Sequence, residues 1–308
     1  MKKGKPSFSA EVMAFYRAAE SAKPEAERLY YDPLARAFLR MPLRLLAGSR
    51  MLAGLTIWFL TERWIPGGVG VVLARSRYID DCLKGCLAEG VGQLVILGAG
   101  YDSRAYRSDI LSRDVKVFEV DHPATQRAKI RRLIDSLGYL PRHVAYTPVN
   151  LMEEPPGKRL IEKGYERSLK TLFICEGVSY YLSAKAMDGV LSFVAESSAP
   201  GSSLVFDYFV QMTADEARKA KMSHWRLERM ARSARLSGEP VLFRMQPLAV
   251  EGFLAQRGFE LKTNLAAQDL KSIYFTGKNE KRQVSPHLAV AHATVRGPTR
   301  DGVGSCCS

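Results

Sequence analysis

The sequence predicts an α/β fold, a central, mostly parallel sheet flanked by helices, and three observations carry that expectation. Short apolar runs recur at 95–97, 115–120, 144–149, 171–175 and 203–208, each the length of a buried strand. Stretches with helical punctuation separate several of them, notably 124–137 and 184–197. The first run then turns into Gly98-Ala99-Gly100, and a glycine turn at a strand's carboxyl end marks the ligand crevice of an open parallel sheet.

The elements follow in order. Residues 1–8 read as a disordered basic tail, and 9–22 as a helix that carries Arg17 and stops before Pro24. Asp32-Pro33 opens another helix, proline being tolerated at the first helical position. Residues 42–66 are a hydrophobic helical region ending at Pro66-Gly67-Gly68. Its apolar run at 51–60 is too short to span a bilayer. It reads as a buried helix or a cover over an apolar substrate, with shallow membrane contact the lesser alternative. Trp58, Phe59 and Trp64 are therefore candidates for an acceptor pocket, core packing being the default for each. A helix over 69–89 leads into the first strand. Beyond the fifth, residues 212–237 read as a charged helix or helix pair inside a lid at 209–240, with Met222, Trp225, Leu227 and Met230 as its apolar members. A helix at 247–258, closing strands at 259–262 and 272–277, and a flexible tail over 279–308 complete the chain. One domain results, 9–278, with a helical cap over 9–90 and a core over 91–278.

Composition narrows the partners. A net charge of +13 favours acidic ones, but the basic residues are scattered, with KKGK and KNEKR the only tight clusters. A solvated basic surface that collects an anionic small molecule is favoured over nucleic-acid binding. Five cysteines without a C-x-x-C pair indicate reduced thiols of a cytoplasmic protein and no metal site. No secretory signal is expected, and oligomeric state is not legible.

The glycine turn and the next strand select the cofactor. Gly98 and Gly100 lack Cβ atoms, so a bulky polar ligand can lie against main-chain N–H groups there. The second strand ends in Asp121, 21 residues beyond Gly100, placed to accept hydrogen bonds from a ribose diol. Ser103 stands where a dinucleotide fingerprint needs its third glycine, and Asp102 beside the turn would repel a pyrophosphate. Both features favour S-adenosyl-L-methionine.

LVILGAGYDSRAYR, FEVDHPATQRAK and LFICEGVSYYL, in this order and with these gaps, resemble the leucine carboxyl methyltransferase family and its bacterial relatives, S-adenosyl-L-methionine-dependent O-methyltransferases that include polyketide-tailoring enzymes. AEVMAFYRAAES, LYYDPLARAFL and VVLARSRYIDD extend the resemblance over about residues 9–277. It implies a Rossmann-like class I methyltransferase fold with an N-terminal helical cap and an inserted lid helix. It also implies that Arg75 grips the cofactor's carboxylate, a role suited to a bidentate guanidinium, and that a basic residue at or near Arg17 closes over it. Asn150, with Leu151 beside it, stands where the family has Asp-Leu receiving the adenine amino group, and an amide oxygen can accept the same bond. Glu176, at the turn after the fourth strand, would lie near the cofactor's ammonium or sulfonium. His122 adjoins the ribose position as a local hydrogen-bonding residue. Asp207 and Tyr208 end the fifth strand on the same rim, facing the acceptor or bonding a loop. His224 is a substrate contact or an exposed helix residue.

The expected reaction is methyl transfer to a carboxylate or phenol of a small-molecule acceptor, such as a polyketide-like aromatic. A carboxylate is already ionised, whereas a phenol with a pKa of about 10 would need a base such as Glu176, Tyr180, Tyr208 or His224. The alternatives are a protein C-terminal carboxylate as acceptor, or a non-catalytic basic binding module.

Overall fold

Five strands build the parallel half of one sheet: β1 (Gln93–Leu97), β2 (Lys116–Asp121), β3 (Val144–Pro148), β4 (Thr171–Cys175) and β5 (Ser203–Val210). They lie in the spatial order β3-β2-β1-β4-β5, so the winding reverses between β1 and β4 and opens a crevice at their carboxyl ends. The computed structural model describes residues 4–107, 111, 115–213 and 239–297. Side chains alternate across the sheet. Leu94 and Ile96 of β1 enter one apolar layer, while Val95 and Leu97 enter the other. Both layers are covered, which is why these strands read as unbroken apolar runs.

The first layer is roofed by α1 (Phe8–Ser21), α4 (Gly68–Ala88) and α5 (Pro123–Leu137). The cap also holds α2 (Met41–Leu46) and α3 (Arg50–Ile57), the latter running into a π-helical turn at Trp58–Glu62. The opposite layer is covered by α6 (Gly157–Glu162), α7 (Ala184–Glu196) and α8 (Val250–Ala255). A two-residue strand, β6 (Arg244–Met245), pairs with the end of β5.

Several expectations need correction. Strand β8 (Leu288–Val295) lies inside the stretch read as a flexible tail, yet it sits between β5 and β7 (Phe259–Ala266), antiparallel to both. It escaped notice because Ala289, Ala291 and Ala293 give it a weak apolar signal, although all three are fully buried. Residues 272–277, expected to be a strand, instead hold the end of helix α9 (Ala267–Tyr274) and a following turn. Its buried positions Ala267, Leu270 and Tyr274 recur at helical spacing, which fits its amphipathic character. The N-terminal tail is shorter than expected, since the Ser7 hydroxyl caps α1 by accepting from the Ala10 N–H. The helix expected after Asp32-Pro33 is a single 3-10 turn, Ala35–Phe38. Most of the expected lid, with Met222, His224, Trp225, Leu227 and Met230, lies outside the described residues.

Candidate active site

The crevice at the switch point is a cavity of about 600 Å³, within the roughly 300–1,000 Å³ of small-molecule sites. Every cofactor residue expected from sequence lines it: Arg17, Arg75, Gly98, Ala99, Gly100, Asp121, Asn150, Leu151 and Glu176, together with Tyr180. Trp58, Phe59 and Trp64 are not among its lining residues, and Trp58 and Phe59 are exposed, so the expectation that they form the acceptor pocket is not met. Tyr208 is buried away from the cavity and donates its hydroxyl to Asn264 Oδ1 at 2.8 Å.

The floor is the β1 turn. Gly98 takes φ +66°, and a Cβ there would sit 2.2 Å from Val178 Cγ2, so only glycine lets the loops after β1 and β4 approach this closely. Asp121 Oδ2 accepts from the Gly100 N–H at 2.6 Å, and its Oδ1 accepts from the His122 N–H at 2.6 Å. The carboxylate thus ties the two strand tips together and retains lone pairs toward the cavity. Burial pushes its pKa up to about 6 despite those two N–H donors and the nearby Lys129. His122 Nδ1 caps α5 by accepting from the Ala124 N–H at 3.2 Å. Asn150 Oδ1 accepts from the Met152 N–H at 3.2 Å, holding the turn after β3.

The far wall is a buried ionic cluster. Arg75, on α4, donates Nε to Glu176 Oε1 at 3.0 Å and Nη1 to Asp207 Oδ2 at 2.5 Å. Arg104 donates Nη1 to Glu176 Oε2 at 2.6 Å and to Asp102 Oδ2 at 2.5 Å, and Nε to Asp80 Oδ1 at 2.6 Å. The Ser76 hydroxyl gives Glu176 Oε1 a further bond at 2.6 Å. Burial alone would raise the Glu176 pKa, but the Arg104 and Arg75 guanidiniums outweigh it and hold the carboxyl well below the usual range. Asp207 also accepts from the Gly177 N–H at 2.8 Å, which fixes the β4 turn against the tip of β5. Arg17 reaches the same region from α1, donating Nε to Asp32 at 2.9 Å and Nη2 to the Tyr101 carbonyl at 2.6 Å.

Sequence reasoning missed Arg104, Asp80 and Asp102 as one unit. Arg104 and Asp102 were on view in the glycine-loop motif, but the partner acid Asp80 lies 24 residues upstream on α4, a contact only the fold reveals. It also missed the roof, where the Ser7 hydroxyl donates to Glu239 Oε1 at 2.7 Å and both residues line the cavity. Among the described residues no cluster of His, Cys, Asp or Glu is arranged to hold a metal ion.

This sheet order, its antiparallel β8 and the crevice at its switch point define a Rossmann-like class I methyltransferase fold. A structure of a candidate methyltransferase from Thermobifida fusca superposes with TM-score 0.59 at 15% identity, covering 96% of this chain and 97% of that one. A DUF574 family protein from Streptomyces avermitilis gives TM-score 0.58 at 14% identity, covering 95% and 98%. The leucine carboxyl methyltransferase family model matches residues 10–195, and the chain belongs to that family. YktD of Bacillus subtilis (strain 168), named as a candidate S-adenosyl-L-methionine-dependent methyltransferase, is 33% identical over 222 residues, 72% of this chain and 71% of its own length. A protein of the same description from Mycobacterium marinum is 30% identical over 262 residues, 82% of each chain.

Proposed function

We propose that this protein is an S-adenosyl-L-methionine-dependent O-methyltransferase whose acceptor is the carboxylate of a small molecule. Bound in the crevice, the cofactor supplies an electrophilic methyl group on a sulfonium. The Gly98-Ala99-Gly100 turn would support its nucleoside, Asp121 would accept from the ribose diol, and Asn150 with Leu151 would border the adenine. The fit is carried by the Asp121 carboxylate, which faces the cavity with lone pairs to spare beyond its two backbone bonds. Arg75 keeps N–H groups beyond those given to Glu176 and Asp207, so it and Arg17 would meet the cofactor's carboxylate.

One observation favours a carboxylate over a phenol. Glu176, the acid nominated as a base, has both oxygens engaged by Arg75, Arg104 and Ser76. Held ionised far below the usual range, it is a poor acceptor for a phenolic proton, whose pKa is about 10. Burial and the nearby Asp207 push the Tyr180 hydroxyl well above its ordinary pKa, so it stays a neutral donor. An acceptor that arrives ionised needs no base, and alignment of its oxygen with the methyl group supplies the acceleration. The net charge of +13 helps collect such an anion.

The test is transfer of radiolabelled methyl to matched carboxylic acids and phenols. Esters are recognised because mild alkali releases their label as volatile methanol, whereas aryl ethers retain it. Alkali-labile product from acids alone is expected. Alkali-stable product from phenols at comparable rates would defeat the carboxylate reading.

A further inference from the structure

The helical cap carries an apolar face that is exposed among the described residues. Of the eighteen large hydrophobic side chains exposed among the described residues, six fall within residues 51–60: Met51, Leu52, Leu55, Trp58, Phe59 and Leu60. Their concentration decides that this is a patch rather than the scatter normal on a protein surface. At 100° per residue, Met51, Leu52, Leu55, Trp58 and Phe59 share one arc of the helix, while Ala53, Ile57 and Thr61 recur every fourth residue on the other side. The second set faces inward, with Ala53 and Thr61 buried and the Thr61 hydroxyl hydrogen-bonded to Tyr16. The helix is therefore apolar all round but roofed on one side only. No described helix is long and apolar enough to cross a membrane.

The charge around this face is one-sided. Arg36, Arg40, Arg44, Arg50 and Arg63 are all exposed, and Glu62 is the single acid between residues 36 and 64. Glu62 accepts from the Gly67 and Val69 N–H groups, turned toward the start of α4. Arg40 pairs with Glu11 and Arg50 with Glu27, whereas Arg36, Arg44 and Arg63 have no carboxylate within ion-pair distance among the described residues. The Arg63 guanidinium lies 4.3 Å from the Trp64 ring centroid and 5.7 Å from that of Trp58.

We infer that this face docks onto an anionic phospholipid surface, α3 and the π turn lying in the plane of the interface with Leu55, Trp58 and Phe59 inserted below the headgroups. An apolar arc with aromatic members, rimmed by arginine, is the pattern of interfacial helices that bind by burial plus attraction to anionic lipid. A second copy of the chain is disfavoured by charge. A two-fold contact through this face would set the arginine rim against itself. The inference stands apart from the acceptor question, since none of these residues lines the cavity.

Vesicle co-sedimentation tests it with the full chain. Wild type is expected to pellet with phosphatidylcholine–phosphatidylglycerol vesicles and to stay in solution with phosphatidylcholine alone. The pair Trp58→Ser with Phe59→Ser, and separately Arg44→Glu with Arg63→Glu, should each lower partitioning at least about tenfold. Leu248→Ser, at an exposed position outside the patch, should bind as wild type. Thermal melts that match wild type show that each variant is folded. Three results would overturn the inference: no wild-type binding to anionic vesicles, undiminished binding by both double variants, or a lipid-free dimer that the Trp58/Phe59 variant converts to monomer.

Discussion

Glu176→Gln separates a structural acid from a catalytic one. Its carboxylate, with 11% of the side chain exposed, sits 2.9 Å from Arg75 Nη2 and 2.6 Å from Arg104 Nη1, and both arginine side chains are 2% exposed. The amide keeps the volume but removes the charge that two buried guanidiniums share, and it turns an N–H donor toward groups that only donate. Breaking a buried pair by removing one partner costs about 3–5 kcal/mol. Asp207, Asp102 and Asp80 remain beside these arginines and place the expected loss toward the lower end. For a chain of 308 residues this lowers Tm by roughly 5 °C. Differential scanning calorimetry without cofactor or acceptor reads it directly. An unchanged Tm together with a kcat collapse of about a hundredfold or more would make Glu176 a base and refute the clamp.

Other perturbations follow from the same geometry. The Asp121 pKa of about 6 is raised by burial, so its contribution to apo stability is complete below the unfolded pKa, about 4, and is lost as pH rises through 6. Cofactor binding runs the other way, because the diol needs the ionised acceptor. Affinity should weaken as pH falls through about 6, and Asp121→Asn should flatten that profile in calorimetric titrations. Gly98→Ala forces a side chain at φ +66° into Val178 and should lose at least about 1–2 kcal/mol from the left-handed backbone alone, seen in chemical denaturation. A melt indistinguishable from wild type would show that the β4 loop yields. Truncation after residue 278 removes β8 from between β5 and β7 and should abolish the cooperative unfolding transition. A truncated chain that still melts cooperatively would show that β8 is dispensable.

The parallel half of the fold was legible because strands buried on both faces leave unbroken runs such as Leu94–Leu97 and Leu172–Ile174. The crevice was legible for a related reason, since a close approach demands glycine, and Gly98 and Asp121 stand at the ends of neighbouring strands. The antiparallel edge was not. β8 is built from alanines whose burial comes from neighbours far along the chain, Val205 opposite His292 and Asp207 opposite Val290. The ionic wall was half legible. Arg75 and Glu176 lie in recognisable motifs, but their partnership, and that of Arg104 with Asp80, exists only once α4 packs over the strand tips. Trp58 and Phe59 were read as pocket or core because apolar residues default to burial, and their exposure is a property of the surface the chain presents.

The central claim is that the paired turns after β1 and β2 hold S-adenosyl-L-methionine. Titration calorimetry of wild type and Asp121→Ala with that cofactor tests it most directly. The account predicts saturable one-to-one binding by wild type and at least about tenfold weaker binding by the variant, near 1.4 kcal/mol. Wild type that binds nothing, or a variant that binds as tightly as wild type, would contradict it.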